Sequence, residues 1–146
     1  DSAKHRIFIG GNLKKALGGS SVTEIASNGH SSLNFDLAKI AIGAVLEAAN
    51  RDMYPGDMAV SATNLTDKGM VANLLSRAFM DFHGGVTSVD NSKVFAVQAS
   101  DFETTKQFGV YVWTDTSDNP ASVDATELQI LGIFTGSFDA GAILIA

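Results

Sequence analysis

The chain has 146 residues, 45% of them apolar and 18% charged, with a formal net charge of −6 and no cysteine. That length fits one domain, spanning 1–146, which buries roughly two-thirds of its unfolded surface and so needs no staple. The composition excludes disulfides, thiolate metal sites, cysteine nucleophiles and wholesale disorder, and no apolar run reaches the ~18 residues that span a bilayer.

The opening residues DSAKHR are charged and show no secretory-signal pattern. His5–Gly10 reads as a short strand ending in Gly10-Gly11, Asn12–Leu17 as a helical turn, and Ser21–Ala26 as a second, alternating strand. Ser27–Ser32 has the composition of a turn. Asn34–Asn50 is predicted as a helix. Leu37, Ile40, Ala41, Ala44, Val45 and Ala48 fall at helical spacing, and Ile42, Leu46 and Ala49 make its other faces apolar too. Asn34 suits its N-cap, and Tyr54-Pro55-Gly56 ends the region.

Asp57–Thr63 reads as a short strand or extended link. Thr66–Phe82 is the second predicted helix, with Val71, Leu74, Leu75, Ala78, Phe79 and Phe82 in one stripe. Thr66 or Asp67 caps it, and Gly84-Gly85 stops it. From there the pattern turns to β, with strands at Val86–Val89, Val94–Ala99, Phe108–Thr114, Leu128–Thr135 and Ala142–Ile145. In Phe108–Trp113, alternation puts Phe108, Val110 and Val112 on one face and Gly109, Tyr111 and Trp113 on the other. Bulk on both faces marks a central strand. The predicted fold is α+β: two helices packed on a mostly antiparallel sheet formed chiefly by the C-terminal half.

Charge is uneven. Residues 1–77 carry eight Lys/Arg and seven Asp/Glu, giving +1, whereas residues 78–146 carry two and nine, giving −7. The second half therefore repels phosphate backbones and attracts cations, which argues against nucleic acid as a partner. Asp outnumbers Glu twelve to four, in keeping with a protein of strands, turns and oxygen-rich loops.

The helix KGMVANLLSRAF (Lys68–Phe79), the segment VTSVDNSKVFAVQASDF (Val86–Phe102) and FGVYVWTDTSDNPASVDATELQILGIFTG (Phe108–Gly136) occur in that order. Over residues 60–146 this resembles the C-terminal regions of bacterial RTX-type and related type I-secreted surface proteins. In those proteins a "VYVWTD" strand leads through an Asp-rich loop into "ELxLLGxxTG" and a short apolar end. Arg6–Leu17 and Leu33–Leu37 are faintly similar to segments upstream. The family's glycine–aspartate repeats are absent from these residues, so β-roll calcium sites are not expected. The resemblance implies one-step export with an uncleaved C-terminal signal. It also implies an extracellular or cell-surface location, a calcium-rich setting and no catalysis by this region.

The candidate metal site is the loop between the last two long strands, with Asp115, Asp118, Asn119, Asp124 and Glu127 as candidate calcium ligands. Calcium takes six to eight oxygens at about 2.4 Å from a flexible loop. An EF-hand is excluded, because the sixth and twelfth positions counted from Asp115 are Pro120 and Thr126. The competing reading is an acidic turn around Asn119-Pro120. His5, His30 and His83 lack metal-ligand spacing, no GxSxG elbow exists, and GGNLKKALGG matches neither nucleotide-loop spacing, which leaves Lys14 and Lys15 as solvated charges. Asn64-Leu65-Thr66 matches a glycosylation sequon.

The sequence thus points to a non-enzymatic extracellular module for export, attachment or assembly. Calcium is its only candidate cofactor; its partners are itself, other surface proteins or a secretion apparatus, with no membrane span. The apolar end, Ala142, Ile143, Leu144, Ile145 and Ala146, is the candidate assembly or secretion segment, able to pair with an edge strand of its own or another copy. One alternative is a self-assembling subunit of a layer or fibre. Another is a small enzyme or ligand binder with a pocket between helices and sheet.

Overall fold

The computed structural model describes residues 7–9, 21–25, 40–45, 60–82, 92–99, 102–116, 123–136 and 143–145. The elements are β1 (Ile7–Ile9), β2 (Ser21–Ile25), β3 (Ile40–Val45), α1 (Lys68–Phe82), β4 (Lys93–Gln98), β5 (Gln107–Trp113), β6 (Leu128–Thr135) and β7 (Ile143–Ile145). One helical turn at Phe102–Thr105 precedes β5, and short 3-10 turns sit at Ala62–Asn64 and Ala125–Glu127. The fold is α+β. A five-stranded sheet runs in the order β2-β3-β4-β5-β6, and β1 and β7 form a separate two-stranded pair.

Two expectations are corrected. The helix expected over Asn34–Asn50 contains strand β3 at Ile40–Val45, so α1 is the single long helix among the described residues. The run IAIGAV is apolar on every side, and such a run suits a strand buried on both faces as well as a buried helix. Its β-branched Ile40, Ile42 and Val45 favour the extended form, and Gly43 weakens a helix. The sheet is also mixed rather than mostly antiparallel. β2 and β4 both pair with β3 in parallel, and only β4–β5 and β5–β6 are antiparallel. A parallel neighbour needs a crossover, and α1 lies in the one that joins β3 to β4. Three of the five strands do come from the second half, as expected.

Other expectations hold. Helix α1 opens at Asp67, whose Oδ1 accepts a hydrogen bond from Met70 N–H at 3.2 Å, the bond an N-cap makes to the third helical residue. Val71, Leu74 and Leu75 of the predicted stripe are buried. Of the expected link Asp57–Thr63, only residues 60–63 are described: Ser61 is extended, and the 3-10 turn begins at Ala62. The expected strand Val86–Val89, the helical turn Asn12–Leu17, the turn Ser27–Ser32 and the stop at Gly84-Gly85 lie outside the described residues.

Strand β5 is central and buried on both faces, with the alternation read from the sequence. Phe108, Val110 and Val112 join Ile42, Val94 and Ala96 in one apolar cluster, against which Phe134 packs. Tyr111 and Trp113 join Phe95, Val97 and the α1 residues Val71, Leu74 and Leu75 in the other. Phe108 and Phe134 stack at 5.6 Å between ring centroids, and Phe95 and Trp113 meet tilted at 6.2 Å. Such pairs contribute about 1 kcal/mol each beyond their buried area. Glycine makes room for two of these rings. A Cβ at Gly109 would overlap the Tyr111 ring, and one at Gly132 would lie 2.9 Å from the Phe134 ring.

Candidate functional site

The connection between β5 and β6 begins at Thr114 and ends in the 3-10 turn Ala125–Glu127. Its two ends are tied together: Thr114 N–H donates to Glu127 O at 3.1 Å. Helix α1 anchors the far end, since Ser76 Oγ accepts from Val123 N–H at 2.7 Å and donates to Val123 O at 3.2 Å. Lys68, in the first turn of α1, donates from Nζ to Leu128 O at 3.3 Å. On the β4 side, the hydroxyls of Ser92 and Thr114 are 2.8 Å apart.

Glu127 stands at the centre of this arrangement and is only 5% exposed. Its Oε1 accepts from the Trp113 indole Nε1 at 3.2 Å and from Asp124 N–H at 2.9 Å. Its Oε2 accepts from Thr116 N–H at 2.8 Å and from Thr116 Oγ1 at 3.1 Å. Two carboxylate oxygens offer about four lone-pair directions, and four donors fill them. Burial pushes the Glu127 carboxyl pKa up. The hydrogen bonds from Asp124 N–H, Thr116 N–H, the Trp113 indole and the Thr116 hydroxyl outweigh burial and hold it below its ordinary value.

The other candidate ligands are placed differently. Asp124 starts the 3-10 turn with its side chain exposed, and Asp115 is half-buried two residues beyond β5. Asp118 and Asn119 lie outside the described residues. Among the described residues no group of three or more His, Asp or Glu side chains stands where it could hold a metal ion. Glu127 could take a cation only by giving up one of its present bonds. The sequence carried a signal for its bracing role. Asp124-Ala125-Thr126-Glu127 before the apolar Leu128 has the spacing of a capping box, in which the fourth residue reaches back to the first N–H.

The apolar end is partly described. Ile143, Leu144 and Ile145 form β7, which pairs in parallel with Ile7, Phe8 and Ile9 of the same chain; Ala142 and Ala146 lie outside the described residues. So do His5, His30, His83, Gly10-Gly11, Lys14 and Lys15. In the sequon-like segment, Asn64 donates from Nδ2 to Ser61 Oγ at 3.1 Å. Tyr111 is buried in the core and donates its hydroxyl to Leu65 O at 2.6 Å. Burial there drives its phenol well above the ordinary range. No helix among the described residues is long and apolar enough to cross a membrane. No family model, curated protein or solved structure matches the chain.

Proposed function

We propose that the chain is a non-enzymatic structural module of a secreted bacterial protein, working outside the cell in export, surface attachment or assembly. The observation that supports this reading most is the use made of polar side chains in and around the C-terminal strands. Tyr111, Trp113, Glu127 and Ser76 each tie one stretch of backbone or side chain to another, across 46, 14, 11 and 47 residues of sequence respectively. Such bonds fix the shape of a scaffold and tie together the two described ends of the β5–β6 connection. The resemblance of residues 60–146 to type I-secreted surface proteins supports the same reading and supplies the location. A secretion apparatus and other surface proteins are then the partners.

Export is the direct test. The chain is expressed in bacterial cells with and without a one-step exporter, and the medium is assayed for folded protein. Appearance in the medium only with the exporter supports the reading. Folded protein retained inside cells in both cases would sink it.

A second reading, a self-assembling subunit of a layer or fibre, draws on β6. This strand ends the sheet order and has eight residues, LQILGIFT, with no charge and no proline. Among the described residues only β5 pairs with it. Charges and prolines are the usual guards of a sheet edge against pairing with another chain. A bulge is another such guard, and β6 has one. Val110 pairs with Gly132 and Tyr111 with Ile130, so Leu131 is the extra residue, 38% exposed. Light scattering over a wide concentration range decides. Growth that Leu131→Lys suppresses favours assembly through this edge, and a monomer at every concentration removes it.

A further inference from the structure

Backbone bonds at the two ends of the β5–β6 ladder fix which way each residue of β6 turns its backbone groups. Thr114 N–H donates to Glu127 O just before the strand, and Gly136 N–H donates to Lys106 O just after it. Antiparallel pairs alternate between bonded and non-bonded positions. Counting in twos from each end through the register, Gln129, Gly132 and Phe134 turn their backbone groups toward β5. Leu128, Ile130, Ile133 and Thr135 turn theirs to the outer side. Among the described residues, one side chain bonds to that side: Lys68 Nζ donates to Leu128 O at 3.3 Å. Lys68 thus plugs the first position of the edge, and the stretch Ile130–Thr135 stays open. Leu131 and Thr135 are exposed along it.

We propose that β6 is a self-docking edge: two copies of the chain pair over Ile130–Thr135, antiparallel across a two-fold axis, and join their five-stranded sheets into one. The charge pattern selects a second copy's β6 as the occupant. Each copy carries a net charge of −6, so two copies repel at long range. They meet at least electrostatic cost along a strand with no charge of its own, and β6 is such a strand. The opposite edge, β2, carries Glu24 among its five residues. A two-fold pairing presents the same strand from both sides, so the contact is complete with two copies and uses up both β6 edges. Lys68 limits its length by holding Leu128 O. This inference rests on the edge that the second reading above uses, and it differs in stopping at two. A layer or fibre needs a further complementary surface, and a charge such as Glu24 guards an edge against that.

The full chain is followed by light scattering from micromolar to millimolar concentration, at low and at high salt. The expected result is a monomer–dimer equilibrium that ends at two copies and tightens as salt screens the repulsion between them. Thr135→Pro removes an outward N–H and spares the β5–β6 ladder, a place where an edge strand tolerates proline. It takes one donor from each copy and should weaken the dimer by about tenfold or more. If that variant does not fold, Leu131→Lys, at an exposed position, should weaken it likewise. Lys68→Met frees Leu128 O, lengthens the open edge and should tighten the dimer. It also makes each copy more negative, so charge repulsion alone would push the other way. A monomer at every concentration overturns the proposal and removes the second reading with it. Growth beyond two copies overturns the closed pair and leaves the second reading standing. A dimer indifferent to both Thr135→Pro and Leu131→Lys joins through another surface and overturns the proposal, as does one that Lys68→Met weakens.

Discussion

Phe108, Val110 and Val112 look out from one face of β5, and Tyr111 and Trp113 from the other. Both faces are buried, yet they hold the molecule by different means. The first is apolar throughout: aliphatic side chains around a stacked Phe108–Phe134 pair. Its stabilisation scales with area removed from water and has little directionality. On the second face each aromatic ring of β5 carries a polar group with a named partner. Tyr111 reaches Leu65, just ahead of α1, and Trp113 reaches Glu127, at the end of the long connection. Packing sets the position of the strand, and the directional bonds set where the irregular segments lie on it. The candidate site falls on the second face for that reason.

The comparison can be broken most forcefully at Glu127. Glu127→Ala leaves the Trp113 indole and the N–H groups of Thr116 and Asp124 without their acceptor. Chemical denaturation should show a loss of about 3 kcal/mol, from the cost of buried donors left unsatisfied. On the apolar face, Val110→Ala removes two methyl groups from a closed cluster and should cost about 2 kcal/mol by the same measurement, with tryptophan emission unchanged. Tyr111→Phe keeps the ring and removes only the bond to Leu65 O, for a loss of about 1.5 kcal/mol. Ser92→Ala gives the smallest change, about 0.5 kcal/mol, because its hydroxyl partner Thr114 is solvent-exposed. Val110→Ala altering tryptophan emission as much as Glu127→Ala would erase the distinction between the faces.

What the sequence made legible follows the same division. Alternation in Phe108–Trp113 revealed both faces of β5, because a period of two with bulk on each side fits a strand buried on both faces and little else. The stripe Val71, Leu74, Leu75 and the cap at Asp67 revealed α1. Ile40–Val45 reads as helix in the sequence and folds as strand, because a run apolar on all sides has no period that separates the two when both are buried. The parallel pairings of β3 depend on partners far away in the chain, and no local pattern encodes them. Glu127 was visible as an acidic residue beside other acidic residues, which reads as a cation ligand. Its four donors come from Trp113, Thr116 and Asp124, and only the short step back to Asp124 leaves a mark in sequence spacing.

The central claim is that the second face of β5 is held by a specific bond between Trp113 and Glu127. A double-mutant cycle of Trp113→Phe and Glu127→Gln, read by urea unfolding, tests it most directly. The account predicts a coupling of at least 1 kcal/mol between the two positions, within the range found for residues in one hydrogen-bonded network. Effects that add to within about 0.3 kcal/mol, as independent sites do, would contradict it.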